Sequence, residues 1–306
     1  MISVLSSRIK SFFWATLLMA LPTATAFLSS QSHLPTASTR NFQWAAEDDD
    51  FMAALRTRVK EVEDRESRMA LVVLDTMLPR QVLRIQVKND LLKALVKECL
   101  ENEKPFFGIL GLARISTGQQ VHLKNGVEVE IIGKPEFVED GMKLELKAGR
   151  RFSILGEVDN TGIGWTEARV EFLDSSEQEE EEVSGEDRFG VARAISKAES
   201  LTCPNMNMPE NQSLVDRWIQ LAKGNERSPG QIERLLAELG EIPPPHEPSE
   251  RAFWVGALIN PIPAMGVAME IRPQLLIAKT AEMRVQHALD GILKSIKHMD
   301  GSAKMF

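Results

Sequence analysis

The side chains able to bind a metal or attack a substrate are few. They are five histidines (His33, His122, His246, His287, His298) and two cysteines, Cys99 and Cys203. Zinc centres place such ligands at short fixed intervals, as in H-E-x-x-H or paired C-x-x-C, and none of these intervals occurs. His287 and His298 lie eleven residues apart on one helical segment, too far to share an ion. Two cysteines exclude a dense disulfide framework. Cys99 falls on an apolar helical stripe and reads as a small buried hydrophobe, whereas Cys203 sits in a loop rich in Pro and Met. No G-x-x-x-x-G-K-[ST] loop is present to cradle a nucleotide, and no G-x-S-x-G turn to raise a serine nucleophile. Carboxylates abound, but they sit on faces that read as solvated. The residues therefore yield no catalytic site, no cofactor and no metal centre, and the chain reads as a binding protein. An enzyme with an active site assembled from distant segments is the alternative.

Charge narrows the partners. The whole chain carries -8. Residues 1–46 hold Arg8, Lys10 and Arg40 with no acid, so the remainder is three charges more negative than the whole. Phosphate backbones bind by releasing counterions to Lys and Arg, so an acidic body argues against nucleic acid.

The basic start is an address. Arg8 and Lys10 precede an apolar run from Ser11 to Leu21, which Pro22 breaks. That run is about half of the roughly 20 residues needed to cross a bilayer, so it reads as a signal peptide over 1–26 and not as an anchor. Ala24 and Ala26 put small residues where a signal peptidase reads, and Phe27 follows at once. Residues 27–46 are rich in Ser and Thr, carry Arg40 and lack acids, the composition of a transit segment. Signal, Phe27 and transit-like stretch together resemble the bipartite plastid address of diatoms and related algae. The resemblance implies a plastid destination; plain secretion is the alternative. No membrane span is expected in the mature chain.

The elements that would position any site come next. Met52, Leu55, Val59 and Val62 recur at helical spacing, with Glu61/Arg65 and Asp64/Arg68 one turn apart, so 47–69 is expected to be a helix. From residue 70 the period becomes two. Strands are expected at 70–74, 83–87 and 106–112, with a helix capped by Asn89 between the last two. Asn125-Gly126 and Asp140-Gly141 each read as a tight hairpin turn between alternating strands, and 168–172 as a last strand. Residues 174–187 hold eight acids and no base and read as a solvated linker. Residues 188–299 are helical in pattern. Ser228-Pro229-Gly230-Gln231 reads as a capping box, Gly240 as a helix stop, and Thr280 as the start of the final helix.

The order of these signals resembles the LON substrate-binding domain found at the N-terminus of Lon proteases. Leu78-Pro79 followed by the Leu83–Val87 strand is similar to one family motif, and Pro105-Phe106-Phe107-Gly108-Ile109 to another. Gly126–Ile132, then Leu144-Glu145-Leu146 and Gly149-Arg150-Arg151-Phe152-Ser153-Ile154, resemble its paired strands. Ala168–Leu173 and Phe253–Leu258 complete the likeness, which spans about residues 70 to 298. It implies an α+β fold: a small antiparallel PUA-like β-barrel over 70–173 and a helical bundle over 188–299. It also implies binding of unfolded or degron-bearing polypeptides, as an adaptor that selects clients for a separate protease or chaperone would bind them. RNA binding through such a barrel is a further alternative. Within these residues no motif of the Lon ATPase or protease modules occurs.

Overall fold

Alternation of apolar and polar residues drives the first half of the chain into strands. In the computed structural model, residues 66–114, 118–160, 165–173, 187–204 and 211–302 are described. All belong to one compact unit, Met52–Phe306. The strands are β1 (Glu66–Val73), β2 (Val82–Val87), β3 (Phe106–Arg114), β4 (Gln120–Val138), β5 (Gly141–Asn160) and β6 (Thr166–Phe172). Between β2 and β3 lies α1 (Asp90–Glu101). The Asn89 side chain caps it by accepting from the amides of Leu91 and Leu92, and it buries Leu92, Leu95, Val96 and Cys99.

The sheet order is β2-β5-β4-β3-β1-β6, and β6 also pairs with β5. That extra pairing closes a ring of five strands, with β2 appended outside it. Closure is possible because β5 is long. Its first half pairs with β2, while Phe152 to Asn160 pairs with β6. Register shifts between Val127 and Val129, and between Leu155 and Asp159, bend the strands around the ring. Inside it Met69, Leu71, Leu110, Phe152, Val170 and Phe172 form a small core. One pairing departs from the antiparallel expectation. β1 runs parallel to β3, with Leu71 opposite Gly108, because β2 and α1 carry the chain back before β3 begins.

Three expectations about local structure are corrected. Asn125-Gly126 is not a turn; it lies within β4, with Gly126 opposite Leu110 and Phe152. A Cβ on Gly126 would stand 2.3 Å from the Ile109 carbonyl oxygen and 2.7 Å from the tip of the Phe152 ring. Close approach selects the glycine here. Asp140-Gly141 does turn the chain, joining β4 to β5 with Gly141 at φ 142. Second, Glu66–Met69 belong to β1 and not to a helix. Arg68 pairs across the sheet with Glu167 at 2.9 Å and with Asp159 at 3.2 Å. The rest of the expected helix lies outside the described residues, as do residues 174–186 of the acidic stretch. Third, the cap before the fourth helix is the Glu226 carboxylate, which accepts from the amides of Gly230 and Ile232. Ser228 instead accepts from Arg234.

The helices are α2 (Asp187–Ser200), α3 (Leu214–Lys223), α4 (Gln231–Leu239), α5 (Pro248–Ile259), α6 (Arg272–Ile277) and α7 (Ala281–Met299). α5 is central, since Arg251 through Ile259 are all buried. α7 starts at Thr280, whose hydroxyl accepts from the Met283 amide. Trp218 on α3 is fully buried; its indole N–H donates to the Ser295 hydroxyl on α7 at 2.8 Å. Arg193 and Lys197 of α2 grip Glu282 of α7 and hold its carboxyl down at about 2, far below the usual carboxylate range.

Barrel and helices meet at residues 74–81, which wedge Met77 and Leu78 into the larger core. Gln81 latches the wedge. Its side-chain oxygen accepts from the Leu78 amide, and its nitrogen donates to the Asn260 carbonyl at 2.8 Å. Asn260 in turn binds the backbone of Met269 and Ile271. Buried Arg272 of α6 reaches both Glu270 and Asp75, tying α6 to the wedge.

Candidate polypeptide-binding surface

The residues read first for chemistry remain apart. His122 is exposed on β4, His246 is exposed before α5, and His287 and His298 are half-buried on α7. Cys99 is buried, and burial pushes its thiol up to about 11, which makes it a poor nucleophile at neutral pH. Cys203 is exposed just past α2. Among the described residues no three His, Cys, Asp or Glu gather where they would hold a metal. His33 and the address residues Ala24, Ala26 and Phe27 lie outside the described residues. Among the described residues no helix is long and apolar enough to cross a membrane.

A candidate surface lies where two strands outrun their neighbours. β1 ends at Val73, opposite Leu110. β5 pairs with β4 as far as Asn125 opposite Ser153, then swings away to β6. Beyond those points β3 and β4 continue as a two-stranded ribbon, with Leu112 opposite His122 and Ala113 opposite Val121. Its two edges differ. On the β3 side the Thr76 hydroxyl accepts from the Leu112 amide at 2.8 Å and donates to the Leu112 carbonyl at 3.0 Å, closing that edge. On the β4 side, residues 120–124 have no strand beside them among the described residues.

The ribbon is two-faced. Val127, Val129 and Ile131 of β4 are buried in the larger core. Val121 and Leu123 continue that row past the cover. α6 packs under it: a Cβ on Gly111 would touch both Leu123 and Leu276. Ile277, next along α6, is 51% exposed and Val121 is 44% exposed. The other face shows Gln120, His122 and Lys124 to solvent. The result is an apolar shelf of Val121 and Leu123, with Leu276 of α6 beside it and the exposed Ile277 next along that helix, at a strand edge that has no neighbouring strand among the described residues.

Other exposed apolar groups lack that pairing of features. Phe137 stands near the β4–β5 turn and Phe189 at the start of α2. Among the described residues β2 also has an outer edge without a strand, but charge guards it. Arg84 spans Glu145 and Glu238, and Lys88 binds Asp140 at its end. Sequence reasoning did not name the shelf. The alternation of Val121 and Leu123 was visible, but it reads equally as core.

A closed five-stranded barrel with an appended strand, a helical lobe behind it and a shelf at their junction defines an α+β module. The substrate-binding domain of the ATP-dependent protease La (LON) matches residues 68–260, more than half of the chain. The chain belongs to this family. The match runs through the barrel and into α5, so the barrel and the first helices form one module. Among solved structures the chain is similar to the Lon N-terminal domain protein from Xanthomonas campestris, at 19% identity over 73% of this chain and 98% of that one, with a TM-score of 0.41. It is also similar to the N-terminal domain of the Mycobacterium avium complex Lon protease, at 15% identity over 73% and 97%, with a TM-score of 0.45. Comparison with curated proteins gives no match.

Proposed function

We propose that this chain is a non-catalytic polypeptide-binding protein that selects unfolded or degron-bearing clients for a separate protease or chaperone. The observation that carries this reading is the family match over residues 68–260, to a domain described by its substrate binding. The shelf beside β4 supports it, because apolar side chains stand exposed there. A single module offers limited contact, so affinity should be on the order of micromolar, about -8 kcal/mol. Attraction that is mainly apolar should persist at high salt, where the Debye length shrinks to roughly 3 Å.

The test incubates labelled casein with the chain, with and without ATP, following anisotropy and then fragments on a gel. Binding without ATP and without fragments is expected. Fragments that vanish when a residue of this chain is mutated would make it an enzyme and end the adaptor reading. Tight binding to a structured RNA with none to casein would do the same.

The adaptor is proposed to work in a plastid. Supporting this are Ala24, Ala26 and Phe27 at the junction and the acid-free, hydroxyl-rich 27–46 behind it. Phe27→Ala should divert a fluorescent fusion from the plastid to a secretory compartment. Normal plastid entry of the mutant fusion would refute the bipartite address.

A further inference from the structure

We propose that the open edge of β4, Gln120–Lys124, receives a client as an added β-strand, apolar at every second residue and acidic opposite Lys124. This rests on the polypeptide-binding reading and specifies how the client is held and which sequences are chosen.

The edge selects the kind of occupant. Residues 120–124 offer backbone donors and acceptors at strand spacing, and only another extended backbone matches them repeatedly. The opposite edge of the ribbon is obstructed at Leu112, where Thr76 already occupies both backbone groups. The outer edge of β2 is closed to most strands by the Arg84 and Lys88 ion pairs.

The faces select the sequence. A strand laid along β4 sends alternate side chains to opposite sides. One set would lie over Val121 and Leu123, against Ile277 of α6. These side chains are already partly exposed and apolar, and they gain from being covered. The other set would lie beside Gln120, His122 and Lys124. Lys124 is exposed on this face. A carboxylate directly across from a lysine on adjacent strands is favourable, and a second lysine there is not. Charge therefore sorts clients that apolar contact alone would not.

The experiment titrates the full 306-residue chain into labelled peptides of about nine residues and reads anisotropy. One peptide alternates Val and Glu, one alternates Val and Lys, and one holds the Val/Glu composition in two blocks. Two further copies of the Val/Glu peptide carry N-methyl groups on one or the other alternate set of amides. The alternating Val/Glu peptide should bind best. An added strand uses only one alternate set of amides, so one N-methylated copy should lose at least about tenfold in affinity and the other little. Lys124→Glu, a surface change that leaves the core intact, should reverse the preference to Val/Lys. Ile277→Asp should weaken every alternating peptide.

Equal binding by both N-methylated copies and the parent would overturn strand addition. So would a Lys124→Glu chain that still prefers Val/Glu. If casein binds while no alternating peptide does, the polypeptide-binding function stands and this mode falls. If casein does not bind either, both fall.

Discussion

A chain with Gly126→Ala should melt about 6–12 °C lower than the parent, the fall expected for a loss of about 3 kcal/mol in a domain of this size. The added Cβ would stand 2.3 Å from the Ile109 carbonyl oxygen, a backbone atom of the neighbouring strand. It would also stand 2.7 Å from the Phe152 ring, which is fully buried in the small core inside the barrel. Neither neighbour has room to move, because Phe152 already fills the space that Gly108 leaves on β3. Relief requires β3 and β4 to part, and that opens the ring. Gly149→Ala is the control, since its nearest atoms stand at 3.7 Å and beyond. Gly126→Asn separates the strand reading from the turn reading. A type I′ turn accepts Asn, whereas the strand position rejects any side chain. Thermal unfolding followed by circular dichroism decides it. A Gly126→Asn chain as stable as the parent would refute the strand assignment.

Leu78→Ala should cost about 2–5 kcal/mol and lower the melting temperature by roughly 10 °C, with a single transition retained. Leu78 is fully buried in the wedge between barrel and helices. Its Cδ1 lies 2.8 Å from where a Cβ on Gly256 of α5 would stand, so the leucine shares with Leu275 the notch that this glycine provides. Removing it leaves a cavity walled by a strand connection on one side and a central helix on the other. The backbone there is held by Gln81 and Asn260 and cannot collapse to fill it. Because the wedge joins both halves, the cost should fall on both at once. Far-ultraviolet circular dichroism and tryptophan fluorescence should give coincident curves, since Trp165 reports from the barrel and Trp218 and Trp254 from the helices. Two separated transitions would show that the halves fold independently.

Much of the architecture is legible in single residues. Alternation over 83–87 and 168–172 identified β2 and β6, and spacing over 92–99 identified α1. Asp140-Gly141, Gly240 and Thr280 marked a turn, a stop and a cap where the structure has them. These signals are local: the residue that shows the pattern also supplies the hydrogen bond or the backbone freedom. Asn125-Gly126 shows the limit. The same pair satisfies a tight turn or a crowded strand, and only the arrival of Ile109 and Phe152 decides between them. Ser228 was a plausible cap, but Glu226 reaches the same amides from farther back.

By itself the sequence determined the α+β class, the alternation and helical periods that build it and the family likeness. Those rest on composition and on neighbours a few residues apart, which need no fold to be read. The tertiary structure decided the rest. The parallel pairing of β1 with β3, the closure of β5 onto β6 and the wedge at Leu78 join residues far apart in the chain. The shelf is the extreme case. Val121 and Leu123 become a surface only because β1 stops at Val73 and β5 leaves β4 at Ser153. An open edge is defined by the strand that is not beside it, and adjacency between distant segments is set by packing rather than by any residue's own preference.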